Sequence, residues 1–254
     1  MTSLWECPRC LLRFRSPKED QKSNYEYYQE DYCEGSTTEC PSDAQLSALI
    51  ATRFRGSDCD FTRYLEIMQA VGLSGRNTVL DFGSSWGYGS WQMRDSGFDV
   101  WSYEIGRSRA NYARDKLGCR VVKSLEELPA GLDCIFSAHV IEHLPDPALM
   151  WRVAKRVLRE GGLIVCFCPN GNPELELRRG THRYGYLWGK HHPMVITPQF
   201  MLGMCARTGF DAKVFSGPYG HRYQLEHTLR LTPDMAVHDE ELCLVARRIR
   251  HPQE

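Results

Sequence analysis

The sequence predicts an α/β protein: a doubly wound sheet of about seven strands, mostly parallel, with an antiparallel edge strand and helices on both faces. Three observations predict it. Short apolar runs alternate with helical stretches from about residue 60 onward, and such alternation implies parallel strands joined by right-handed crossovers. The apolar runs contain few polar residues, as strands do when helices cover both sides of a sheet. A glycine-rich turn follows the first run, at the place where a doubly wound sheet binds its ligand.

The elements follow in order. FTRYLEIMQAV carries apolar residues at helical spacing (Phe61, Tyr64, Leu65, Met68, Val71), and Gly72 stops it. TVLDF (78–82) is a short apolar strand, and the glycine-rich turn leads into a helix near 88–96. FDVWSYE (98–104) is a second strand, followed by a helix over 108–118 that ends at Gly118. CRVV (119–122) and LDCIFSA (132–138) are the third and fourth strands. The stretch 146–162 reads as a helix with a Gly-Gly stop, and LIVCFCP (163–169) as the fifth strand. Residues 170–195 form a long polar connection, a kind of segment that is usually functional inside a compact domain. A helix near 197–207, a strand near 210–216 and a final strand over 242–249 complete the chain, the last two forming an antiparallel edge.

Bulk properties exclude several classes. The 254 residues suit one catalytic domain of roughly 200 residues with an appendage. A net charge of -1 lacks the basic excess that phosphate binding demands, so nucleic acid is not expected as a partner. Arg152, Lys155, Arg156 and Arg159 cluster at the spacing of a solvated helix face. No apolar run reaches ~18 residues, so no membrane span is expected. MTSLWECPRC lacks the apolar core of a signal peptide, which makes the cytoplasm the expected location. The eleven cysteines then read as reduced thiols, with Cys166 and Cys168 as buried small hydrophobes.

The turn VLDFGSSWGYGS places Gly83, Gly87 and Gly89 where a ligand can approach the backbone closely. Asp81 closes the first strand and Glu104 the second, so both stand at the carboxyl edge of the sheet. A carboxylate there can accept both hydroxyls of a ribose. The glycine spacing departs from the dinucleotide fingerprint, and an acid just before the turn suits an amine- and sulfonium-bearing ligand better than a pyrophosphate.

At these residues the chain resembles the class I S-adenosylmethionine-dependent methyltransferases. DFGSSWG is similar to their first motif, D-x-G-x-G-x-G; SAHVIEHLPDP to the motif after the fourth strand; GGLIVCFCPN to the fifth-strand motif. The resemblance covers about residues 60–215 and implies a Rossmann-like fold with S-adenosylmethionine as cofactor. Ser85 stands where the family commonly has glycine. Carried over by position, Asp81, Gly83, Ser85 and Gly87 would meet the amino-acid end of the cofactor and Glu104 its ribose. Ser124 and Leu125 would flank the adenine, and Ser137 and His139 would lie near the sulfonium. The domain division expected is a Cys/Tyr-rich extension over 1–45, without regular structure, and a methyltransferase domain over 46–254. The extension's tyrosines (Tyr25, Tyr27, Tyr28, Tyr32) are candidates to cover the cleft.

Methyl transfer from a sulfonium is an in-line displacement, in which alignment alone can supply up to ~7–11 kcal/mol. A hydroxyl acceptor must also lose a proton, to a histidine or through a divalent metal. His139, Glu142 and His143 follow the fourth strand with the spacing H-x-x-E-H, which would put them on one side of a helical turn. The long connection adds His182, His191 and His192. The pattern is similar to the E-x-x-E-H and later histidine of metal-dependent small-RNA 3'-end 2'-O-methyltransferases and ubiquinone-pathway O-methyltransferases, with His139 replacing the first glutamate. His139, Glu142, His143 and His192 are therefore candidate metal ligands; the alternative is that they line the pocket without a metal. His139, His143 and Glu142 are the candidate catalytic residues in either case. Tyr184, Tyr186 and Trp188 either stack on a flat acceptor or pack a lid.

Cys7 and Cys10, in CPRC, have the spacing of half a zinc knuckle. CPRCLLRFRSP is similar to the second half of the zinc ribbon that precedes some bacterial methyltransferase domains, and Cys33 and Cys40 are the nearest further thiols. Either a structural zinc binds or the segment packs without one. The expected activity is methylation of a small-molecule or sugar-type acceptor, most simply at oxygen. An RNA-directed, metal-assisted 2'-O-type enzyme and a non-catalytic binding protein on the same fold are the alternatives.

Overall fold

The computed structural model describes residues 3–17, 21–30, 32, 37–179, 192–217 and 240–249. Ten strands and eight α-helices are assigned among them. His182, His191, Tyr184, Tyr186, Trp188 and Cys33 lie outside the described residues. The chain forms two compact units, one of residues 25–136 and one of residues 1–24 with 137–254.

The unit over 25–136 holds most of α1 (Gln21–Glu30), then α2 (Asp43–Ala51) and α3 (Thr62–Ala70). Ser42 and Gln45 form a capping box at the start of α2, satisfying two backbone N–H groups that the helix leaves free. The parallel strands follow: β3 (Thr78–Phe82), β4 (Asp99–Tyr103), β5 (Arg120–Val122) and β6 (Leu132–Ala138) as far as Phe136, with α4 (Tyr88–Asp95) and α5 (Arg107–Leu117) between them. β3 and β6 carry the bounds that the sequence predicts. Their runs are flanked by polar or glycine residues and their side chains are mostly buried. β4 pairs in parallel with β3 and β5, and β3 with β6, which aligns their carboxyl ends. Phe61 and Tyr64 each pack edge to face on Phe136 in this core, and Phe54 meets Trp86 and Trp91.

The other unit holds β1 (Ser3–Glu6), β2 (Arg13–Ser16), α6 (Leu149–Val157), β7 (Leu158–Pro169) and α7 (Pro173–Arg179). It continues with β8 (Met194–Val195), α8 (Pro198–Thr208), β9 (Phe210–Gly217) and β10 (Glu241–Arg248). β10 runs antiparallel between β7 and β9, the expected antiparallel edge. Thr197 caps α8 by accepting from the Phe200 N–H at 3.1 Å, and Pro198 fills the first turn, where no partner for its nitrogen is needed. The large sheet reads β5-β4-β3-β6-β7-β10-β9. In sheet order this is 3-2-1-4-5-7-6, a doubly wound arrangement whose direction reverses between its first and fourth strands.

Two expectations are corrected here. The helix expected over 146–162 ends at Val157, and β7 begins at once with an extended Leu158 (ψ 141°). Leu158 is fully buried, so its apolar side chain fits the helical pattern and the strand equally well. Residues 1–45, expected to lack regular structure, contain the β1–β2 hairpin, α1 and the start of α2. β2 gains its second partner from β8, pairing Arg13 with Val195 and Phe14 with Met194, a long-range contact that no local pattern announces.

Candidate functional site: a carboxylate edge and a histidine–glutamate cluster

In the unit over 25–136, the turn between β3 and α4 carries three left-handed residues: Gly83 (φ 88°), Ser85 (φ 49°) and Gly87 (φ 91°). The N–H groups of Gly83 and Ser84 both donate to the Tyr103 carbonyl, folding the turn over the end of β4. Ser85 occupies a conformation costing an L-residue about 1–2 kcal/mol. Its N–H donates to Glu104 Oε2 at 2.9 Å and its hydroxyl to the Thr37 carbonyl at 2.7 Å, which hold it there. At Gly87 a Cβ would stand 2.7 Å from Ala113 Cβ and 3.1 Å from Cys119 Sγ. Gly87→Ala is therefore expected to lower stability by about 2–3 kcal/mol, from overpacking and left-handed strain together. Thermal denaturation would show this as a fall of roughly 5–10 °C.

Asp81 is buried, and its Oδ2 accepts the Ser90 hydroxyl at 2.6 Å; that hydroxyl also contacts Ser102 Oγ at 2.8 Å. Burial pushes the Asp81 carboxyl up to about 7, with the Ser90 bond opposing and the nearby Glu104 adding to the rise. Glu104 is paired within the protein. Its Oε1 accepts from the Gly106 N–H at 2.6 Å and from Arg109 Nη2 at 2.9 Å, and both side chains are more than nine-tenths buried. Arg109 also donates to the Tyr32 carbonyl and lies 5.1 Å from that ring's centre. Gln29 donates to the Ile105 carbonyl at 2.7 Å. Residues from α1 and the turn near Thr37 thus lie against the ends of β3 and β4. Ser124 precedes a 3-10 turn at Leu125–Glu127, just past β5 on the same carboxyl edge, and Leu125 is buried.

In the other unit, Ser137 is buried near the end of β6. His139 follows in a left-handed conformation (φ 56°), its N–H donating to the Phe167 carbonyl at 2.8 Å. The helical turn expected to carry His139, Glu142 and His143 together is instead a 3-10 turn over Ile141–His143, with His139 outside it. His139 Nε2 pairs with Glu241 Oε1 at 2.6 Å, and its Nδ1 lies 3.6 Å from Glu142 Oε1. Glu142, His143 and His192 each turn a ligand atom toward the others, all within 4.8 Å. The rings of His143 and His192 are 4.6 Å apart, and Asn24 Nδ2 donates to the His143 carbonyl at 3.2 Å. Glu142 is 2% exposed, and neither of its oxygens has a hydrogen-bond partner among the described residues. Burial works to raise its carboxyl, but the imidazoles of His139, His143 and His192 outweigh it and hold the group below the ordinary range.

Of the four expected ligands, the structure groups Glu142, His143 and His192, while His139 stands outside that group, between Glu142 and Glu241. Sequence reasoning misses Glu241 and Arg109. Glu241 had one available signal, an acidic residue at the mouth of an otherwise apolar strand. Cys7 and Cys10 sit on the turn between β1 and β2, and Cys40 is exposed in the other unit.

The sheet order, the glycine-rich turn after β3 and the acids ending β3 and β4 are the fold and edge of the class I, S-adenosylmethionine-dependent methyltransferases. The family described as "Methyltransferase domain" matches residues 52–213, and the chain belongs to it. Among curated relatives, a ubiquinone biosynthesis O-methyltransferase of Pseudomonas paraeruginosa is 30% identical over 162 residues, covering 60% of this chain and 63% of that protein. Its counterpart in Psychrobacter arcticus is 29% identical over 196 residues, covering 66% and 73%. The chain thus spans less than two thirds of the first relative's length. A solved S-adenosylmethionine-dependent methyltransferase of Archaeoglobus fulgidus shares the fold at 18% identity, with a TM-score of 0.54 over 80% of this chain and 99% of that one. Phosphoethanolamine N-methyltransferase 2 of Haemonchus contortus, solved with S-adenosyl-L-methionine, has a TM-score of 0.56 at 14% identity, over 81% of this chain and 57% of that one. No helix among the described residues is long and apolar enough to cross a membrane.

Proposed function

We propose that the protein transfers the methyl group of S-adenosylmethionine to a hydroxyl oxygen of a small molecule. The observation that carries this reading is Glu142, a buried carboxylate whose oxygens have no hydrogen-bond partner among the described residues, facing His143 and His192. A buried carboxylate with imidazoles around it but no group within hydrogen-bond distance is costly unless a cation or proton donor meets it. One carboxylate and two imidazoles suit a divalent transition metal. Glu142, His143 and His192 would hold such an ion, which when bound lowers the pKa of a hydroxyl beside it. The curated relatives, named for O-methylation in ubiquinone biosynthesis, support oxygen as the accepting atom.

The chain's own groups have distinct tasks in this reading. Glu104 binds the ribose hydroxyls after exchanging Arg109 for them, so cofactor entry includes a shift of Arg109 away from Oε1. Asp81 faces the cofactor's ammonium, and Gly83, Ser85 and Gly87 let its amino-acid end approach the backbone. Ser124 and Leu125 flank the adenine, while Ser137 and His139 contribute at the sulfonium. His139, held by Glu241, orients the acceptor; with an ion held by the cluster the acceptor's proton leaves to solvent, and without one His143 takes it. Alignment of oxygen, methyl carbon and sulfur supplies most of the rate, because the displacement needs no covalent help from the protein.

The test uses S-adenosylmethionine with a carbon-13 methyl group and a panel of hydroxylated small molecules, with and without added manganese or zinc. Expected is a methoxy carbon signal in the product and loss of turnover after chelation. Methyl appearing on nitrogen or carbon overturns the acceptor assignment, and full turnover after metal removal overturns the ligand assignment.

A further inference from the structure

The Glu104 side chain is 7% exposed, too little for a carboxylate that has to receive the two hydroxyls of a ribose. Its acceptor positions are also largely taken. Oε1 accepts from the Gly106 N–H at 2.6 Å and from Arg109 Nη2 and Nε at 2.9 and 3.2 Å, and Oε2 accepts from the Ser85 N–H at 2.9 Å. A carboxylate offers about two acceptor positions on each oxygen, so one stays open, on Oε2. A diol needs two. Gly106 and Ser85 donate from the backbone, which leaves Arg109 as the donor that a side-chain rotation can remove.

Arg109 is pinned on its other side by the segment after α1. Its Nη1 donates to the Tyr32 carbonyl at 3.2 Å, and its guanidinium lies 5.1 Å from the centre of the Tyr32 ring. Tyr32 is tied back to α1, because its N–H donates to the Tyr27 carbonyl at 3.1 Å. The rings of Tyr27, Tyr28 and Tyr32 pack on one another with centres 4.7 to 5.8 Å apart. The last turns of α1 and Tyr32 therefore make one piece with an aromatic cluster of its own. Gln29 fastens that piece to the edge: Nε2 donates to the Ile105 carbonyl at 2.7 Å and Oε1 accepts from the Arg107 N–H at 3.1 Å. Arg107 Nη2 adds a bond to the Tyr25 hydroxyl at 3.3 Å. All of these residues belong to the unit over 25–136.

We propose that Arg109 is the latch of a cofactor-gated cover: the piece of α1 from Tyr25 on, with Tyr32, closes the carboxylate edge, and the ribose of S-adenosylmethionine opens it by taking Glu104 from Arg109. The proposal rests on Glu104 as the ribose carboxylate. One rotation of the Arg109 side chain frees an acceptor position on Oε1 and lets go of the Tyr32 carbonyl, so carboxylate and cover are released together. The bonds from Gln29 to the edge are hydrogen bonds, which water replaces at small net cost. A ligand that binds only the open form binds more weakly by the fraction of molecules that are open. The Arg109–Glu104 pair keeps that fraction low, because both its charges are buried and its two nitrogens grip one oxygen. The latch thus holds down both the affinity for the cofactor and the rate at which it enters.

The test measures S-adenosylmethionine binding to the full chain by calorimetry and stopped-flow fluorescence, for the wild type, Arg109→Met and Gln29→Ala. Methionine keeps the aliphatic bulk of Arg109 and gives up its donors, while Glu104 retains the Gly106 and Ser85 N–H groups. Arg109→Met is expected to bind at least ~10-fold tighter and to associate at least ~10-fold faster, since the open form no longer has to be won from the latch. Gln29→Ala leaves the Arg109–Glu104 pair intact and loosens the cover alone, so its association should quicken by a smaller factor, about 2–5-fold. In the cofactor-free protein, the amides of α1 from Tyr25 on should exchange hydrogen faster in both variants than in the wild type. Weaker or unchanged binding in Arg109→Met overturns the latch and makes Arg109 a support that holds Glu104 in place. If that variant fails to fold, Gln29→Ala decides alone, and unchanged or slower association overturns the proposal. A wild type and variants that all lack measurable affinity overturn the ribose role of Glu104 itself, a result distinct from failure of the latch.

Discussion

Asp81→Asn is expected to weaken S-adenosylmethionine binding by at least ~100-fold while making the cofactor-free protein more stable above pH 7. The two effects have opposite signs and one cause. Asp81 is buried, and its carboxyl is raised to about 7 from an ordinary value of about 3.9. A group that holds its proton more tightly in the native state adds stability that is fully present below about pH 4 and is lost as pH rises through about 7. Above that range the buried charge persists without a countercharge, at a cost of about 2–4 kcal/mol. Asparagine keeps an oxygen for Ser90 and removes the charge. The melting temperature of the variant should therefore stay flat between pH 4 and 8, where the wild type falls. A cationic cofactor meets the carboxylate and neutralises it, so wild-type affinity should rise as pH passes through 7. In the variant both the affinity and its pH dependence should vanish. Calorimetry across pH checks the binding and thermal melts check the stability. An asparagine variant that binds as tightly as wild type would remove Asp81 from the cofactor site.

Glu142→Gln is expected to abolish metal-dependent stabilisation and to lower turnover by a factor of about 10²–10⁴. Glutamine matches glutamate in shape but cannot balance a cation beside His143 and His192. In the wild type, added manganese or zinc should raise the melting temperature as its concentration passes its dissociation constant, because the ion binds only the folded cluster. The variant should show no such rise, and its activity should be indifferent to chelator. The cofactor affinity should not change, since no cofactor-binding role falls on Glu142. That separation distinguishes loss of the metal from general damage to the fold. An unchanged metal response in Glu142→Gln would show that the ion, if bound, sits elsewhere.

Glu104 and Arg109 illustrate where a sequence pattern stops being informative. The carboxylate at the end of β4 is legible because it closes an apolar strand. Its occupation by Arg109, by the Ser85 and Gly106 N–H groups and, through Arg109, by Tyr32 is not. Those partners come from a turn, a helix and the segment after α1, and nothing in their spacing marks them as neighbours. His139 teaches the same lesson. Its neighbourhood with Glu142 follows from three residues of separation, whereas its 2.6 Å pair with Glu241 spans 102 residues.

By itself the sequence determined the parallel strands and the positions of Asp81, the glycine turn and Glu104, since these follow from local patterns of burial and left-handed geometry within a few residues. It also determined the antiparallel edge and the helix near 197–207. Only the tertiary structure decided that α6 stops at Val157, that β2 finds β8, and that Glu241 meets His139. Those outcomes depend on which distant surfaces are buried together, and a buried leucine or an acidic residue looks the same along the chain whichever neighbour it will acquire.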